Sequence, residues 1–379
     1  MVNSIKNLEK YRNIQDELSD KLVTKVYDTL DKKEIGKLYK NLMDDLGELD
    51  YNKLPKVFTE YFLNNQNFPD WIDYKKIALA QNLFVKLGPE YATCLICRAL
   101  PVGYTSANVV KLLSTTGYLS NDLKTGTAKR LLETSQFIFN VMRKDTFNRD
   151  SVGVKHILKV RFIHGMVRYH LIKHGWDSKK YGAPVNQQDM SLTILTFSIG
   201  AILGLERLKV YISEKEKDAL VHYWAVIGSL IGVDEKINPK DYKSAKAVYN
   251  EVLLNQAKKS EEGVQLMRAL ANFIKATVKI KRLPNLTDYM IRFLIGNDRY
   301  SDILGLAKPR GFVKKNAFNK SIFLVKAMNI WRGNYIIDIL IKPVNKLFII
   351  RLLKHFDKEF DLKLSIPEEF ISSWGIKIK

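Results

Sequence analysis

Apolar residues recur along most of the chain at spacings of three and four, which is typical of helices that bury one face. The spacing is clearest in the stretches 20–46, 128–144 and 261–282. Prolines are few, and short runs that alternate between apolar and polar residues, as strands do, are not prominent. The pattern predicts an all-α protein that folds as a single large helical bundle.

Breaks in the pattern contain Gly, Pro, Asn or Asp and predict short loops between helices. They lie at 64–70, 117–127, 179–189, 234–241 and 282–286. None has the length or composition of a flexible interdomain linker. We therefore expect one helical body over 61–305, with a helical extension at 1–60 before it and a basic helical tail at 306–379 after it.

Two strongly apolar segments raise the question of a membrane. The run 190–205, MSLTILTFSIGAILGL, carries no charge but is shorter than the roughly 20 residues that a span needs, so it predicts a buried central helix. The tail segment 321–356 is apolar but is interrupted every few positions by charged residues. Two interpretations stay open for it: the segment lies on an anionic membrane surface, or it packs on the protein's own core.

Charge narrows the choice of partners only slightly. The 61 Lys and Arg against 40 Asp and Glu give a net charge of +21, which favours anionic neighbours such as acidic lipids or nucleic acid. No stretch interleaves exposed cations with aromatic residues as a nucleic-acid stacking platform does, so the sequence argues against a nucleic-acid-binding module. The first 21 residues contain no apolar signal segment, and we expect a cytoplasmic protein.

Cys94 and Cys97 are the only cysteines, and they lie in the apolar helical context YATCLICRAL. One such pair cannot complete a four-cysteine zinc site, although it has the spacing of a redox pair. Free cysteine often acts as a small buried hydrophobe, so we expect both to pack in the core.

A basic trio interrupts the apolar stretch KVRFIHGMVRYHLIKH, residues 159–174. Arg161, His164 and Arg168 stand at positions i, i+3 and i+7, which places them on one face of a helix. The surrounding residues are apolar over most of the helix, so this face is expected to be buried. Because buried guanidinium groups are costly without anionic partners, negative charge must lie opposite them.

A second polar trio lies upstream in TAKRLLETSQF. Arg130, Glu133 and Thr134 occupy positions i, i+3 and i+4 and therefore share a face as well. Glu133 is expected to supply part of the negative charge that Arg161 and Arg168 require.

An anionic cofactor is a second source of that charge. A haem has two propionates for the arginines and an iron that accepts a neutral imidazole as axial ligand. His164, between Arg161 and Arg168, has a suitable position for that ligand. Spacing alone leaves the alternative open that His164 is a hydrogen-bonded core histidine.

Four motifs in order along the chain carry a resemblance to a known family. They are RLLET (130–134), VRFIHGMVR (160–168), PVNQQDMSLTILTFS (184–198) and ISEKEKDALVHYWAVIGSLIGVDEKINP (212–239). Together they resemble the MpaB/latex clearing protein family of haem-dependent oxygenases. The resemblance extends from 67 to 306 and leaves out the first sixty residues and the tail.

The resemblance implies a single large globin-like helical bundle around a haem b pocket, with His164 as the proximal iron ligand and Arg161 and Arg168 beside it. It also implies that Arg130 and Thr134 lie on the distal side. Glu133 stands where rubber-cleaving members of the family have a lysine that can bind iron. This departure argues against a rubber-like substrate and leaves the haem expectation intact, and Glu133 is instead expected to act as a general base or to neutralise an arginine.

The function implied by the family is oxidation or cleavage of C=C bonds by O₂ in an unsaturated hydrophobic substrate, isoprenoid or lipid-like. The runs 190–205 and 219–232 contain enough apolar and small residues to line a channel for such a chain, although most of them are expected to form ordinary core. His222, in the second run, is expected to be a hydrogen-bonded core residue. The alternative is a peripheral membrane protein of the same fold that binds a lipid or prenyl chain without catalysis.

Overall fold

The structure is a computed structural model, and it describes residues 2–44, 54–115, 123–208, 210–278, 285–308, 347, 349–357 and 366–374. Within these ranges the chain forms helices and loops, with one isolated antiparallel bridge between Ser106 and Ala257. The prediction of an all-α protein is confirmed.

A 3-10 helix, Val2–Asn13, precedes the first α-helix, and Glu235–Ile237 forms a shorter one. The α-helices are α1 Glu17–Thr29, α2 Lys32–Asp44, α3 Lys56–Asn64, α4 Tyr74–Cys94, α5 Leu100–Gly103, α6 Ala107–Thr115, α7 Leu123–Val141, α8 Val152–Lys173, α9 Ser178–Tyr181, α10 Gln187–Leu195, α11 Ala201–Arg207, α12 Glu214–Ile231, α13 Tyr242–Gln256, α14 Glu261–Val278, α15 Leu286–Ile295, α16 Asp298–Ile303 and α17 Glu368–Trp374. Two π-helical turns, πA Leu95–Ala99 and πB Thr196–Gly200, continue α4 into α5 and α10 into α11.

Helix α12 lies at the centre of the molecule and packs along α4. It begins at a capping box, in which Ser213 and Glu216 satisfy each other's backbone N–H groups, and it ends at Gly232, whose φ of 95° suits a residue without a Cβ. Nearly every residue from Ala219 to Ile231 is buried, because neighbouring helices cover all sides of α12.

The uncharged run 190–205 also lies in the core. Among the described residues it belongs to one helix, Gln187–Arg207, that is long and apolar enough to cross a membrane. However, 83% of its most apolar window is buried inside the protein. The prediction of a buried central helix is confirmed.

The N-terminal extension packs directly on the helical body. Helix α1 lies along α8, and the two share a second hydrophobic cluster that includes Val23, Val26 and Phe162. At the crossing, a Cβ on Gly165 would come within 2.2 Å of Ser19 Oγ, so only glycine permits this approach. The extension therefore helps to fix the position of α8.

The last described helix closes the core beside a kink in α4. Pro89 has no N–H for the carbonyl of Val85, and Trp374 Nε1 donates to that oxygen at 2.9 Å instead. The Trp374 ring occupies the space that a side chain on Gly88 would need. Phe356 and Phe370 are buried in the same core.

The segment 321–356, predicted to lie on a membrane or on the core, falls outside the described residues except for 347 and 349–356. The described part places Ile349, Leu352 and Phe356 in the protein's own core. The membrane interpretation of the remainder stays a prediction.

Candidate active site

The two polar trios lie on neighbouring helices. Arg130, Glu133 and Thr134 belong to α7, and the basic trio belongs to α8, which packs against it. The Ser151 hydroxyl accepts the N–H of Val154 and fixes the start of α8. The structure thus brings both predicted trios to one helix pair.

Arg161 forms a two-pronged ion pair with Asp16. Its Nε lies 2.7 Å from Asp16 Oδ2 and its Nη2 lies 2.8 Å from Oδ1. Asp16 is only 5% exposed, so the pair is largely shielded from water. A Cβ at Gly232 would come within 2.4 Å of Asp16 Oδ2, so the glycine that ends α12 also leaves room for this pair.

Arg168 pairs through a single nitrogen with an acid on the next turn of α1. Its Nε lies 2.6 Å from Asp20 Oδ1, and its Nη1 donates to the carbonyl of Val185 at 3.2 Å. The side chain of Arg168 is 1% exposed. The expected negative partner of the basic trio is therefore present, and the N-terminal helix region supplies it.

The expectation that Glu133 neutralises these arginines is wrong. Arg161 and Arg168 both pair with acids of the N-terminal segment, while the charges that act on Glu133 are those of Lys129, Lys159 and Arg130. The reason is geometric: α1 covers the face of α8 that carries the arginines, and α7 lies on another side.

His164 lies between the two ion pairs. Its Nδ1 is buried and has no hydrogen-bond partner in the described part of the chain. Burial, and after it the charge of Arg168, lowers the pKa of His164 to about 4. The imidazole is therefore neutral at neutral pH, which is the form that binds a metal.

The distal trio is divided between two environments. Arg130 and Thr134 line an apolar cavity, whereas Glu133 is not among its lining residues. Glu133 is half-buried, and burial raises its pKa although three neighbouring cations oppose the shift. The Nη1 of Arg130 is buried without a hydrogen-bond partner among the described residues, and its guanidinium carbon lies 5.9 Å from the centre of the Tyr104 ring.

The cavity has a volume of about 120 Å³ and lies between α7 and both π-helical turns. Ile96 and Ala99 contribute from πA, and Thr196 and Phe197 contribute from πB. The two turns touch at Ala99 and Gly200, where Arg98 Nη1 donates to the Gly200 carbonyl at 3.0 Å. Because π-turns insert an extra residue and often occur at functional sites, their pairing here marks the cavity independently of the trios.

A hydrogen-bonded aromatic group supports the wall behind πB. Tyr91 donates its hydroxyl proton to the carbonyl of Phe197 at 2.5 Å, and Trp224 Nε1 donates to the Tyr91 oxygen at 2.9 Å. The rings of Phe197 and Trp224 are stacked with centroids 4.7 Å apart. The sequence does not distinguish this group from ordinary core residues, since buried aromatic residues at helical spacing are the usual pattern of a core.

The structure also bears on the predicted channel walls. The run 190–205 contributes Leu192, Thr193, Thr196 and Phe197 to the cavity. None of the residues that line it belongs to 219–232, which forms the core layer behind it.

The remaining candidates behave as core residues, as predicted. His222 is buried and accepts the N–H of Asp73 at Nε2, 2.9 Å away. Cys94 and Cys97 are both buried, and burial raises the pKa of Cys97 to about 12 and that of Cys94 further. Both thiols are therefore protonated at neutral pH and unsuited to redox chemistry.

Comparisons with known proteins agree on one family. A sequence model described as "ER-bound oxygenase mpaB/B'/Rubber oxygenase, catalytic domain" matches residues 95–311. The rubber oxygenase of Streptomyces sp. (strain K30) is 23% identical over 262 residues, which cover 67% of this chain and 62% of that relative, less than two thirds of its length. A solved structure of latex clearing protein in the closed state is similar in fold, with a TM-score of 0.69 at 18% identity over 90% of this chain and 91% of the other.

Proposed function

Because the chain belongs to the catalytic-domain family of ER-bound oxygenase mpaB/B' and rubber oxygenase, we propose that it is a haem b-dependent oxygenase. Its substrate is an unsaturated hydrophobic compound, isoprenoid or lipid-like, and O₂ is the oxidant. The observation that carries the proposal is His164, a neutral, partly buried imidazole whose buried Nδ1 has no partner among the described residues, on a helix held by two ion pairs.

The metal-binding side chains in the described part of the chain fit a cofactor whose metal is already coordinated by the cofactor itself. Among the described residues, no group of three or more His, Cys, Asp or Glu side chains is placed to hold an ion. One imidazole is sufficient for a haem, whose porphyrin supplies four nitrogens. His164 would hold the iron, and the bound haem would supply the redox chemistry that activates O₂.

Arg161 and Arg168 act in this proposal by positioning. Their ion pairs with Asp16 and Asp20 prevent α8 from turning or sliding, so the imidazole stays aimed in one direction. Such support of a ligand's orientation is a common role of the groups behind a metal ligand. Their predicted contact with haem propionates stays a prediction.

The residues of α7 would act on the substrate. The cavity walls exclude water and accept an apolar chain, and the polar groups that α7 contributes to its lining are the Arg130 guanidinium and the hydroxyls of Thr134 and Ser135. Glu133, whose pKa burial raises, holds its proton to a higher pH than an exposed carboxyl does. It does not line the cavity, so its expected role as a general base stays a prediction.

The test is haem content. Purified wild-type protein should show a Soret band and about one haem b per chain in a pyridine haemochrome assay. His164→Ala should lose this haem and keep its helical circular dichroism, because the substitution removes only the imidazole that would hold the iron. His174→Ala is the matched control, since it removes an exposed imidazole just beyond the end of the same helix.

Full haem in His164→Ala would show that another residue is the ligand. A wild-type protein that is colourless and takes up no added haemin would overturn the oxygenase proposal. The lipid- or prenyl-binding alternative would then explain the apolar cavity.

A further inference from the structure

Arg130 is the one charged side chain among the described residues that line the apolar cavity. The remaining walls are aliphatic and aromatic side chains with a few hydroxyl groups. Arg130 is half-buried, but its Nη1 is fully buried, and a buried cationic N–H group is costly without an acceptor. The absence of an anionic partner among the described residues therefore indicates what kind of ligand the cavity binds.

No described acidic side chain forms an ion pair with Arg130. Its Nη1 is buried without a hydrogen-bond acceptor, and the Tyr104 ring offers it only a cation–π contact at 5.9 Å. Glu133 stands one turn away on α7 but is not among the cavity's lining residues, and its raised pKa weakens it as a counter-charge. By contrast, Arg161 and Arg168 are fully paired with Asp16 and Asp20.

We propose that this cavity binds the carboxylate end of an amphiphilic substrate, with Arg130 as its ionic partner. Thr134 lies at i+4 on the same face of α7 and donates its hydroxyl proton to the carboxylate. A guanidinium group matches a carboxylate well because its N–H groups form parallel, charge-assisted hydrogen bonds. That the bound compound is a substrate rests on the proposed function. That the cavity binds a carboxylate does not.

The volume limits what enters. A cavity of about 120 Å³ is slightly smaller than the roughly 150 Å³ engineered cavity that holds one benzene. It therefore accommodates the carboxylate and the first few carbons of a chain, and the rest of a longer chain lies outside it. A neutral polyisoprene has no group that would satisfy Arg130, so the site selects against such a polymer and for an unsaturated acid.

Haem propionates are carboxylates too, and the experiment must separate the two sources. Isothermal titration calorimetry is carried out with geranic acid and with geraniol, which have the same branched unsaturated chain and differ in the end group. Each is titrated into wild type, Arg130→Met, Arg130→Lys and the control Lys129→Met, which removes an exposed charge from the same helix. The haem content of every sample is measured, and haem-free protein is titrated in parallel.

We expect wild type to bind the acid at least about tenfold more tightly than the alcohol, as one charge-assisted hydrogen bond provides. Arg130→Met should lose that preference and keep its affinity for the alcohol, Arg130→Lys should retain part of it, and Lys129→Met should behave as wild type. Equal affinities of wild type for both compounds, or a preference that survives in Arg130→Met, would overturn the proposal.

Loss of haem in Arg130→Met with an unchanged ratio of acid to alcohol affinity would assign the guanidinium to a propionate and would also overturn it. The proposed function fails separately. A haem-free wild-type protein that takes up no haemin but still prefers the acid removes the oxygenase and leaves the carboxylate site.

Discussion

Glu133 is the residue at which this chain's chemistry should depart most from that of the rubber-cleaving proteins it resembles. It stands on the α7 helix one turn from Arg130, half-buried, with a pKa that burial raises above its ordinary value. If it acts as a base, its deprotonation at rising pH must switch activity on.

We therefore expect kcat/KM of the wild type to rise with pH through an ionisation above the usual range of a glutamate. Glu133→Gln should keep its haem and lose that rising limb, with activity lower by about 10²-fold or more at high pH. A Gln variant whose pH profile matches the wild type would show that Glu133 has a structural role only.

The Asp16–Arg161 pair allows a sharp test of stability at a single residue. Asp16→Asn leaves a guanidinium that is only 14% exposed without its counter-ion, and breaking a buried pair in this way costs about 3–5 kcal/mol. Urea unfolding should show this loss, whereas Glu17→Gln, at a neighbouring exposed position, should stay within about 0.5 kcal/mol of wild type. A loss below 1 kcal/mol in Asp16→Asn would mean that the pair contributes little.

The sequence placed the basic trio on one helix face correctly, because positions i, i+3 and i+7 are fixed by local geometry, but of the other trio only Arg130 and Thr134 line the cavity together. It did not identify the acids that neutralise Arg161 and Arg168, since Asp16 is 145 residues away from Arg161 along the chain. Glu133 was assigned to that role because it was the carboxylate in the other trio, and distance along the sequence carries no information about which helices meet.

At the scale of elements, the helix crossing of α1 and α8 depends on one glycine. Gly165→Ala would place a methyl group 2.2 Å from Ser19 Oγ and 3.1 Å from the Ser19 carbonyl, so one helix must shift. We expect a loss of about 1–3 kcal/mol in the free energy of unfolding.

Gly36 in α2 is the matched control, because nothing lies within 4 Å of the methyl group that Gly36→Ala would add. This variant should be more stable than wild type by about 0.4–1 kcal/mol, since alanine loses less backbone entropy on folding. If chemical denaturation gives both variants the same sign, the close crossing is not what requires Gly165.

Helix positions were largely predictable, while the π-helical turns were not. One inserted residue in πA or πB leaves the apolar pattern of the flanking α-helices nearly unchanged. The spacing of apolar residues therefore predicts one continuous helix across each turn. The cavity follows from those two turns, and it was consequently invisible in the sequence although Arg130 and Thr134 were identified.

For the whole molecule, the free energy of unfolding should depend on pH through two groups with opposite effects. Asp189 is buried against Gln256 and Asn186, and burial raises its pKa to about 6. Its contribution is fully present below the unfolded value near 4 and is lost as pH rises through about 6. His164, with its pKa lowered to about 4, contributes stability above pH 6.5 that is lost as pH falls.

In haem-free protein these two contributions oppose each other between pH 4 and 6.5, so the variant below is compared with haem-free wild type. The stability of Asp189→Asn relative to wild type should rise by up to about 3 kcal/mol from pH 4 to pH 7, because the variant carries no buried carboxylate to ionise. Urea titrations at both pH values measure the difference, and a constant difference would show that Asp189 does not ionise in this range.

The overall architecture follows from the sequence more fully than the site does. The all-α class, the buried helix at 190–205 and the core histidine His222 each depend on local composition, and each is confirmed. The similarity in fold to latex clearing protein at 18% identity is consistent with this, since apolar spacing is retained where individual residues are not.

The ion pairs of Asp16 and Asp20 with Arg161 and Arg168 on α8 also have a consequence for the order of events during synthesis. The acidic residues 16 and 20 are synthesised about 145 residues before α8, which at 5–20 residues per second is a delay of roughly 7–30 s. Until then α8, the proposed iron-binding helix, has not been synthesised, and the acids of the N-terminal segment have no arginine to pair with. If the proposed haem binds, a newly made chain would acquire it only late, and the supply of haem at that moment would decide how much of the protein matures.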